Sequence, residues 1–190
     1  MNYNSFTNLN LGEFFKNSHS TNHNIEGQSY AIQKQVIFGI RNITMSIEFN
    51  FPEKVSLANR TILKDFILSI FKKEKKKAGN ISYVFCSDDY LLDINRSYLN
   101  HDYFTDIITF DLSESGSNSI DGEIYISVDT VRDNARRFKT SFSKELHRVM
   151  FHGVLHLCGY KDKSDNEQTA MTEKEDHYLH LYSKMFHVKS

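Results

Sequence analysis

From Met45 onward, segments with apolar residues at the spacing of a β-strand alternate with segments at the spacing of an α-helix. They predict strands and helices in turn. Residues 47–51, Ile-Glu-Phe-Asn-Phe, alternate apolar and polar as a half-buried strand does, and Pro52 follows them. Apolar residues then recur at helical spacing as far as about residue 76, with Ser56 or Asn59 as the N-cap. The first ordered pair of elements is therefore a strand followed by a helix.

The later elements continue this interleaved order. Further strands are predicted at residues 81–86, 107–112 and 122–127, and further helices at 88–98, 129–138, from Ser141 or Ser143 to Gly159, and at 167–186. The continuously apolar start of the 107–112 strand predicts a central position in the sheet, and Gly79-Asn80 predicts a turn. Together these patterns predict an α+β fold, with a single mixed β-sheet of about four strands covered by helices, one of which binds a metal.

Residues 1–44 follow a different pattern. Asparagine and serine are frequent there, and apolar residues show neither helical nor strand periodicity. We expect a disordered N-terminal extension over 1–44 and one folded domain over 45–190, with Met45 as an alternative start.

The composition is that of a globular protein. Of 190 residues, 39% are hydrophobic and 25% are charged, which suffices for one domain with a full core. The sequence contains neither a transmembrane-length apolar run nor a secretory signal pattern. Cys86 and Cys158 lie in apolar segments, which indicates buried thiols and a cytoplasmic protein. A net charge of −1 means that any nucleic-acid contact must use a local patch.

The strongest chemical motif is a pair of histidines, His152 and His156, within an apolar helix. Their spacing places both imidazoles on one helix face, one turn apart. Gly159 is expected to end the helix and turn the chain, so that Asp162 becomes a third ligand. Two nitrogens and one carboxylate, with one position left open, are typical of a metal that handles water or substrate. The alternative is two helix histidines that find partners without a metal.

Several segments together resemble the YbeY-type endoribonucleases, the metal-dependent rRNA maturation factors of bacteria. They are residues 152–160 (HGVLHLCGY), 122–127 (GEIYIS) and 105–110 (TDIITF), Asn95 with Tyr98, and Met171 with Glu175. The resemblance implies a small α+β fold, one zinc ion per chain, and ribosomal RNA and ribosomal particles as partners, without a membrane. It also implies cleavage of single-stranded RNA in rRNA maturation, at the 16S 3′ end, and in ribosome quality control.

Two positions depart from that family. The usual Gly-Tyr-Asp-His ending, whose histidine is the third ligand, is replaced by Gly-Tyr-Lys-Asp, so Asp162 occupies the ligand position. Zinc accepts a carboxylate ligand, and the change shifts the preference slightly toward harder ions such as manganese. Leu99 replaces an arginine that is expected to meet the RNA phosphate, and Arg96 is a candidate substitute. The alternative function is therefore a non-catalytic ribosome-assembly factor with a structural metal.

Gly153 and the segment before the third strand bear on the reaction. In metalloproteases with a His-Glu-x-x-His motif, the glutamate is the general base, whereas Gly153 stands here and argues against a protease. We expect Gly153 to admit another backbone or a substrate. RNA cleavage would use water activated by the ion. Asp106 and Thr105 are candidates for supporting the histidines, with a turn cap as the alternative.

A cluster of basic residues supplies the candidate RNA-binding surface. The candidates are Arg132, Arg136, Arg137 and Lys139, on the helix that precedes the metal helix. His147 is expected to point away from the ligand pair, and His177, His180 and His187 to lie at the surface or in an interface. The sequence leaves the oligomeric state, the cleavage site and the native metal open.

Overall fold

The computed structural model describes residues 45–187, together with the backbone of the two-residue strand Leu9–Asn10. The strands are β1 (Leu9–Asn10), β2 (Ser46–Asn50), β3 (Ala78–Cys86), β4 (Ile107–Asp111) and β5 (Ile120–Ser127). The helices are α1 (Arg60–Lys73), α2 (Asp88–Leu99), α3 (Val128–Arg137), α4 (Phe142–Leu157) and α5 (Asp165–His187). Apart from β1, the residues for which disorder was expected lie outside the described part of the chain.

The strands form one mixed sheet in the order β1-β4-β5-β3-β2. Strands β2, β3 and β5 are parallel neighbours, and β4 pairs antiparallel to β5. This confirms the predicted α+β architecture. The central position predicted for the 107–112 strand is wrong, because β5 and β3 occupy the centre and only the short β1 lies outside β4.

Burial on both faces explains why β4 is so apolar. Ile107 belongs to the main core cluster, whereas Ile108 and Phe110 pack into a second cluster on the α2 side. The Phe110 ring also contacts the Tyr98 ring of α2, with the two centroids 5.7 Å apart. The sequence of a strand that is covered on both faces is continuously apolar, whatever the position of the strand in the sheet.

The turn predicted at Gly79-Asn80 is also wrong, because both residues belong to β3. The backbone N–H of Asn80 donates to Asp121 Oδ1 at 2.6 Å, and a Cβ on Gly79 would meet that same oxygen at 2.6 Å. The β3–β5 register shifts between Ala78 and Ile81. The glycine therefore admits a neighbouring side chain at an irregularity within the strand.

Serine caps set the starts of three helices. Ser87, Ser127 and Ser141 each accept a hydrogen bond from a backbone N–H in the first turn of α2, α3 and α4. Of the two caps predicted for the first helix, Asn59 stands at the N-cap of α1, but with φ 52° and without a side-chain capping bond.

Helix α4 is the element that positions the site. Every residue from Val149 to Leu157 is buried. A Cβ on Gly153 would lie 2.8 Å from Ile124 Cγ2 and 2.9 Å from Ile107 Cδ1. The expectation that Gly153 admits a substrate is therefore wrong. Gly153 faces the sheet, and the absence of a side chain lets α4 pack closely against β4 and β5.

No helix within residues 45–187 is long and apolar enough to cross a membrane.

We expect Gly153→Ala to destabilise the protein by up to about 2 kcal/mol. Alanine improves helix propensity by about 1 kcal/mol, but overpacking a tight contact typically costs about 1–3 kcal/mol, and here the β-carbon enters a buried contact with β4 and β5. Urea unfolding monitored by circular dichroism measures the difference. Ser143→Ala, at an exposed position in the first turn of α4, is the control. Equal or greater stability for Gly153→Ala would contradict the tight-packing account.

Candidate metal centre

Three buried side chains converge at the C-terminal half of α4. His152 Nε2 and His156 Nε2 lie 2.8 Å apart. One carboxylate oxygen of Asp162, Oδ2, lies 3.7 Å from each of these nitrogens. The three side chains therefore present their ligand atoms to one point and could hold a metal ion.

A glycine turn brings Asp162 back to the helix. Gly159 adopts φ 101°, a left-handed conformation that costs glycine little. Its N–H donates to the His156 carbonyl at 2.9 Å, and the Tyr160 N–H donates to the Leu155 carbonyl at 3.0 Å. These two bonds satisfy carbonyls at the end of α4 and reverse the chain. The predicted helix end at Gly159 is thereby confirmed to within two residues.

Each imidazole is oriented by a partner at its other nitrogen. His152 Nδ1 lies 2.7 Å from Glu175 Oε1, and His156 Nδ1 lies 3.0 Å from the Tyr160 carbonyl oxygen. Both partners accept hydrogen bonds, so the tautomer that donates from Nδ1 leaves the Nε2 lone pair facing the centre. This arrangement is typical of histidines that bind metals.

The Asp162 carboxylate provides the test of fit for a cation. Both of its oxygens are buried and lack a hydrogen bond of ordinary length within the described chain, since Oδ2 lies 3.7 Å from each histidine Nε2. Leaving a buried charged group without a hydrogen bond costs several kcal/mol, unless a compensating charge is present. A cation bound between Asp162 and the two Nε2 atoms would supply that charge, and the donor set of two imidazoles and one carboxylate fits a divalent metal.

Burial and neighbouring charges shift the pKa values of His152 and His156 in opposite directions. Burial lowers the pKa of His152, but the hydrogen bond to Glu175 and the charges of Glu175, Asp106 and Asp162 outweigh it, so the pKa lies above its usual value. Burial dominates at His156 and lowers its pKa. The first imidazole is thus held by acids, whereas the second is kept neutral and suited to metal binding.

Glu175 contacts the centre through His152, and sequence reasoning did not assign it there. It lies on α5, and Arg148 Nη1 donates to its second oxygen at 3.0 Å, so the carboxylate is held from both sides. Sequence analysis sought the support for the histidines at Asp106 and Thr105 instead. The sequence pointed to Glu175 only through its resemblance, with Met171, to the family. Its contact with His152 could not be predicted, because no local pattern shows which helix faces α4.

Asp106 and Thr105 lie just before β4 and are fixed by hydrogen bonds. The Thr105 hydroxyl donates to the Ile107 carbonyl at 3.3 Å, and Asn134 Nδ2 donates to Asp106 Oδ2 at 3.3 Å. Both residues are buried, and the charge of Asp106 acts on His152. Glu175 contacts His152 directly, and Asp106 acts on His152 through its charge.

The basic candidates lie on exposed surface, and three of them pair with an aspartate. Arg96 Nε donates to Asp102 Oδ1 at 2.6 Å. Arg132 pairs with Asp129 at 3.0 Å, and Arg136 pairs with Asp133 at 2.9 Å. The guanidinium of Arg137 lies 5.6 Å from the centroid of the Phe138 ring, and Lys139 follows in a left-handed conformation. The surface of α3 is therefore less positive than its arginines suggest.

The remaining candidates are placed as follows. Leu99 packs against the cluster on the α2 side of the sheet, and Cys86 and Cys158 are buried free thiols, as predicted. His177 and His180 are exposed, in agreement with the expected surface position, and the His187 side chain lies outside the described residues.

His147 is a half-buried histidine of α4 that is not one of the three converging side chains. Its ring packs against two aromatic rings, 4.7 Å from the Tyr182 centroid and 6.1 Å from the Phe151 centroid. Burial lowers its pKa to about 4. The expectation that it points away from the ligand pair agrees with these contacts.

We expect His147→Phe to reduce the acid sensitivity of the fold. An unfolded histidine protonates near pH 6.5, whereas folded His147 protonates only near pH 4, so its contribution to stability is full above about pH 6.5 and falls as the pH is lowered toward 4. The variant should therefore lose less stability than wild type between pH 7 and 4.5, by about 1–3 kcal/mol. Urea titrations across this range measure it, with the exposed His180→Phe as control. If the free energy of unfolding of wild type and of His147→Phe fell equally with pH, the lowered pKa of His147 would be contradicted.

The chain is similar to known proteins over most of its described length. The family model described as endoribonuclease YbeY matches residues 46–183. A protein of Flavobacterium psychrophilum named endoribonuclease YbeY is 49% identical over 143 residues, which cover 75% of this chain and 98% of the relative. A protein of the same name from Flavobacterium johnsoniae is 47% identical and is covered over 99% of its length.

A solved structure shows the same fold at lower identity. The solution structure of a Thermotoga maritima protein superposes with a TM-score of 0.52 and 29% identity, over 75% of this chain and 93% of that one. The family model and the relatives together cover the sheet, α4 and the three converging side chains. The chain belongs to the endoribonuclease YbeY family.

Proposed function

We propose that this chain is a metal-dependent endoribonuclease that cleaves single-stranded RNA in ribosomal RNA maturation. The observation that carries the proposal is the buried Asp162 carboxylate, which faces two Nε2 atoms and lacks a hydrogen bond of ordinary length within the described chain. In this proposal the protein acts in the cytoplasm, and its partners are ribosomal RNA and ribosomal particles. The processes are maturation of the 16S 3′ end and ribosome quality control. Names of the relatives support the RNA substrate.

The ligands support zinc as the ion, with manganese as the alternative. His152, His156 and Asp162 would hold it, and three protein ligands leave a coordination position for water or phosphate. When bound, such an ion polarises a phosphoryl oxygen or lowers the pKa of water. A peptidase of the His-Glu-x-x-His type is disfavoured, since position 153 lies against Ile124 and Ile107 of the sheet.

The chain's own residues orient the centre and can handle a proton beside it. Glu175 and the Tyr160 carbonyl hold the two imidazoles. Burial raises the pKa of Asp106, so this carboxyl holds a proton at higher pH than an ordinary aspartate. We assign Asp106 the supporting catalytic role, with Thr105 fixing the backbone that leads into β4.

The RNA-binding surface is proposed on α3 and the turn that follows it. Phosphates would compete with Asp129 for Arg132 and with Asp133 for Arg136, whereas Arg137 and Lys139 extend the same basic segment. Arg96 would have to exchange Asp102 for a phosphate in the same way. Exposed ion pairs of this kind contribute only about 0–1 kcal/mol, so a phosphate can displace the acid.

One observation favours a second function, a non-catalytic ribosome-assembly factor with a structural metal. Leu99 packs into the apolar cluster on the α2 side, so this position offers no guanidinium to a phosphate. A binding protein would need the metal for its fold and affinity for ribosomal particles, but no turnover.

We expect the wild-type protein to cleave a labelled single-stranded RNA that carries a ribosomal RNA processing junction. His156→Ala and Asp162→Asn should each lose bound metal and reduce the cleavage rate at least 100-fold, because each removes one ligand. His180→Ala, an exposed histidine on α5, should retain both and serves as the matched control. Metal content by elemental analysis and cleavage by gel electrophoresis are measured on the same preparations.

The outcomes separate the two functions. Cleavage that depends on His156 and Asp162 supports the enzyme. Metal that depends on these residues, without any cleavage by wild type, would favour the assembly factor. Full metal content in both ligand variants would overturn the proposed centre.

A further inference from the structure

One carboxylate outside the centre collects three hydrogen bonds. Glu74 follows the last turn of α1, and its Oε2 accepts from the Tyr160 hydroxyl at 2.8 Å. Its Oε1 accepts from Lys174 Nζ at 2.8 Å and from the Tyr178 hydroxyl. Glu74 thus connects three separate parts of the chain: α1, the turn after α4, and α5.

Tyr160 links this carboxylate to the candidate metal centre. Its side chain donates to Glu74, while its carbonyl oxygen lies 3.0 Å from His156 Nδ1. Its backbone N–H donates to the Leu155 carbonyl at 3.0 Å. Asp162 follows two residues later. The position of one tyrosine therefore affects both the orientation of one ligand and the return of another.

The surroundings of Glu74 favour a rigid, charged anchor. Only 11% of its side chain is exposed, and Lys174, whose ammonium also lies 5.2 Å from the centroid of the Tyr160 ring, balances its charge. Hydrogen bonds to an ionised group are roughly twice as strong as those between neutral groups. The turn that carries Asp162 is thereby fixed to α1 by a strong bond rather than only by its own backbone.

We propose that Glu74 is a positioning residue for the metal centre, acting through the Tyr160 hydroxyl on residues 158–162, which we call the ligand turn. Glu74 holds the ligand turn against α1, so that His156 Nε2 and the Asp162 carboxylate keep the separation that one ion requires. The inference rests on the proposed metal centre. It adds a residue of α1 that is remote in sequence from the ligand turn and contacts no ligand atom.

The decisive comparison uses two tyrosines that donate to the same carboxylate. Tyr160→Phe removes the bond to the ligand turn, whereas Tyr178→Phe removes a bond from α5 and leaves the ligand turn attached. We expect Tyr160→Phe to weaken zinc binding about 10-fold or more, as the loss of partners that orient metal ligands typically does, and Tyr178→Phe to change it less than threefold. Competition with a chromogenic chelator measures both affinities.

A second readout does not depend on the metal. In the metal-free protein, the backbone amide of residue 160 should exchange with solvent faster in Tyr160→Phe than in wild type or Tyr178→Phe, because the ligand turn opens more often. Glu74→Ala should reproduce the effect, and Glu74→Gln, which retains an acceptor for Tyr160, should restore most of the zinc affinity. A purely structural role for Glu74 would move the unfolding midpoint without this selectivity.

The results decide between the possibilities. Selective loss of zinc affinity and of amide protection in Tyr160→Phe supports the inference. Wild-type zinc binding that is unchanged in Tyr160→Phe and Glu74→Ala would overturn it while leaving the proposed function intact, as would equal losses in the two tyrosine variants. If wild type binds no zinc, both the inference and the proposed centre fail.

Discussion

The close packing of α4 on the sheet is the constraint on which the rest of the structure depends. At Gly153 the helix approaches Ile124 and Ile107 so closely that a β-carbon would meet both. The flanking histidines, His152 and His156, are carried into the interior by that approach and are 4% exposed. A buried helix end needs partners for its polar groups, and here the partners are the elements that build the candidate site.

Electrostatic balance explains the arrangement around these histidines. Two acids face them directly, Glu175 at one Nδ1 and Asp162 at both Nε2 atoms. Arg148 compensates Glu175, and Asp162 is left with a charge that no described residue neutralises by a hydrogen bond of ordinary length. Buried charges are stable when they are paired or bind metals, so the same side chains could hold a cation.

Sequence reasoning could find the elements of the fold wherever the residues that determine an element lie close to it in the chain. Serine caps and the glycine after α4 act within a few residues, and the interleaved periods gave the correct α+β class. It failed where the cause was distant. Gly79 belongs to a strand because Asp121, from another strand, fills the space beside it. The apolar start of β4 reflects helices on both faces rather than a central position.

The same distinction applies to the site. His152, His156 and Asp162 lie within eleven residues of chain, so helical periodicity and one turn sufficed to predict that they meet. Glu175 and Glu74 come from other helices, and only the packing of those helices shows that one orients His152 and the other holds Tyr160. Basic residues on α3 were visible as a pattern, but their pairing with Asp129 and Asp133 reduces the charge they present.

The ligand set is tested most directly by X-ray absorption at the zinc edge of the protein loaded with one equivalent of zinc. The account predicts scattering from two imidazoles at about 2.0–2.1 Å and from oxygen at about 2.0–2.2 Å, without sulfur near 2.3 Å. Asp162→Asn, which lacks the carboxylate ligand, should lose bound zinc and with it the zinc-edge signal. A sulfur shell, which would implicate Cys158 or Cys86, or a wild-type site with fewer than two imidazoles would contradict it.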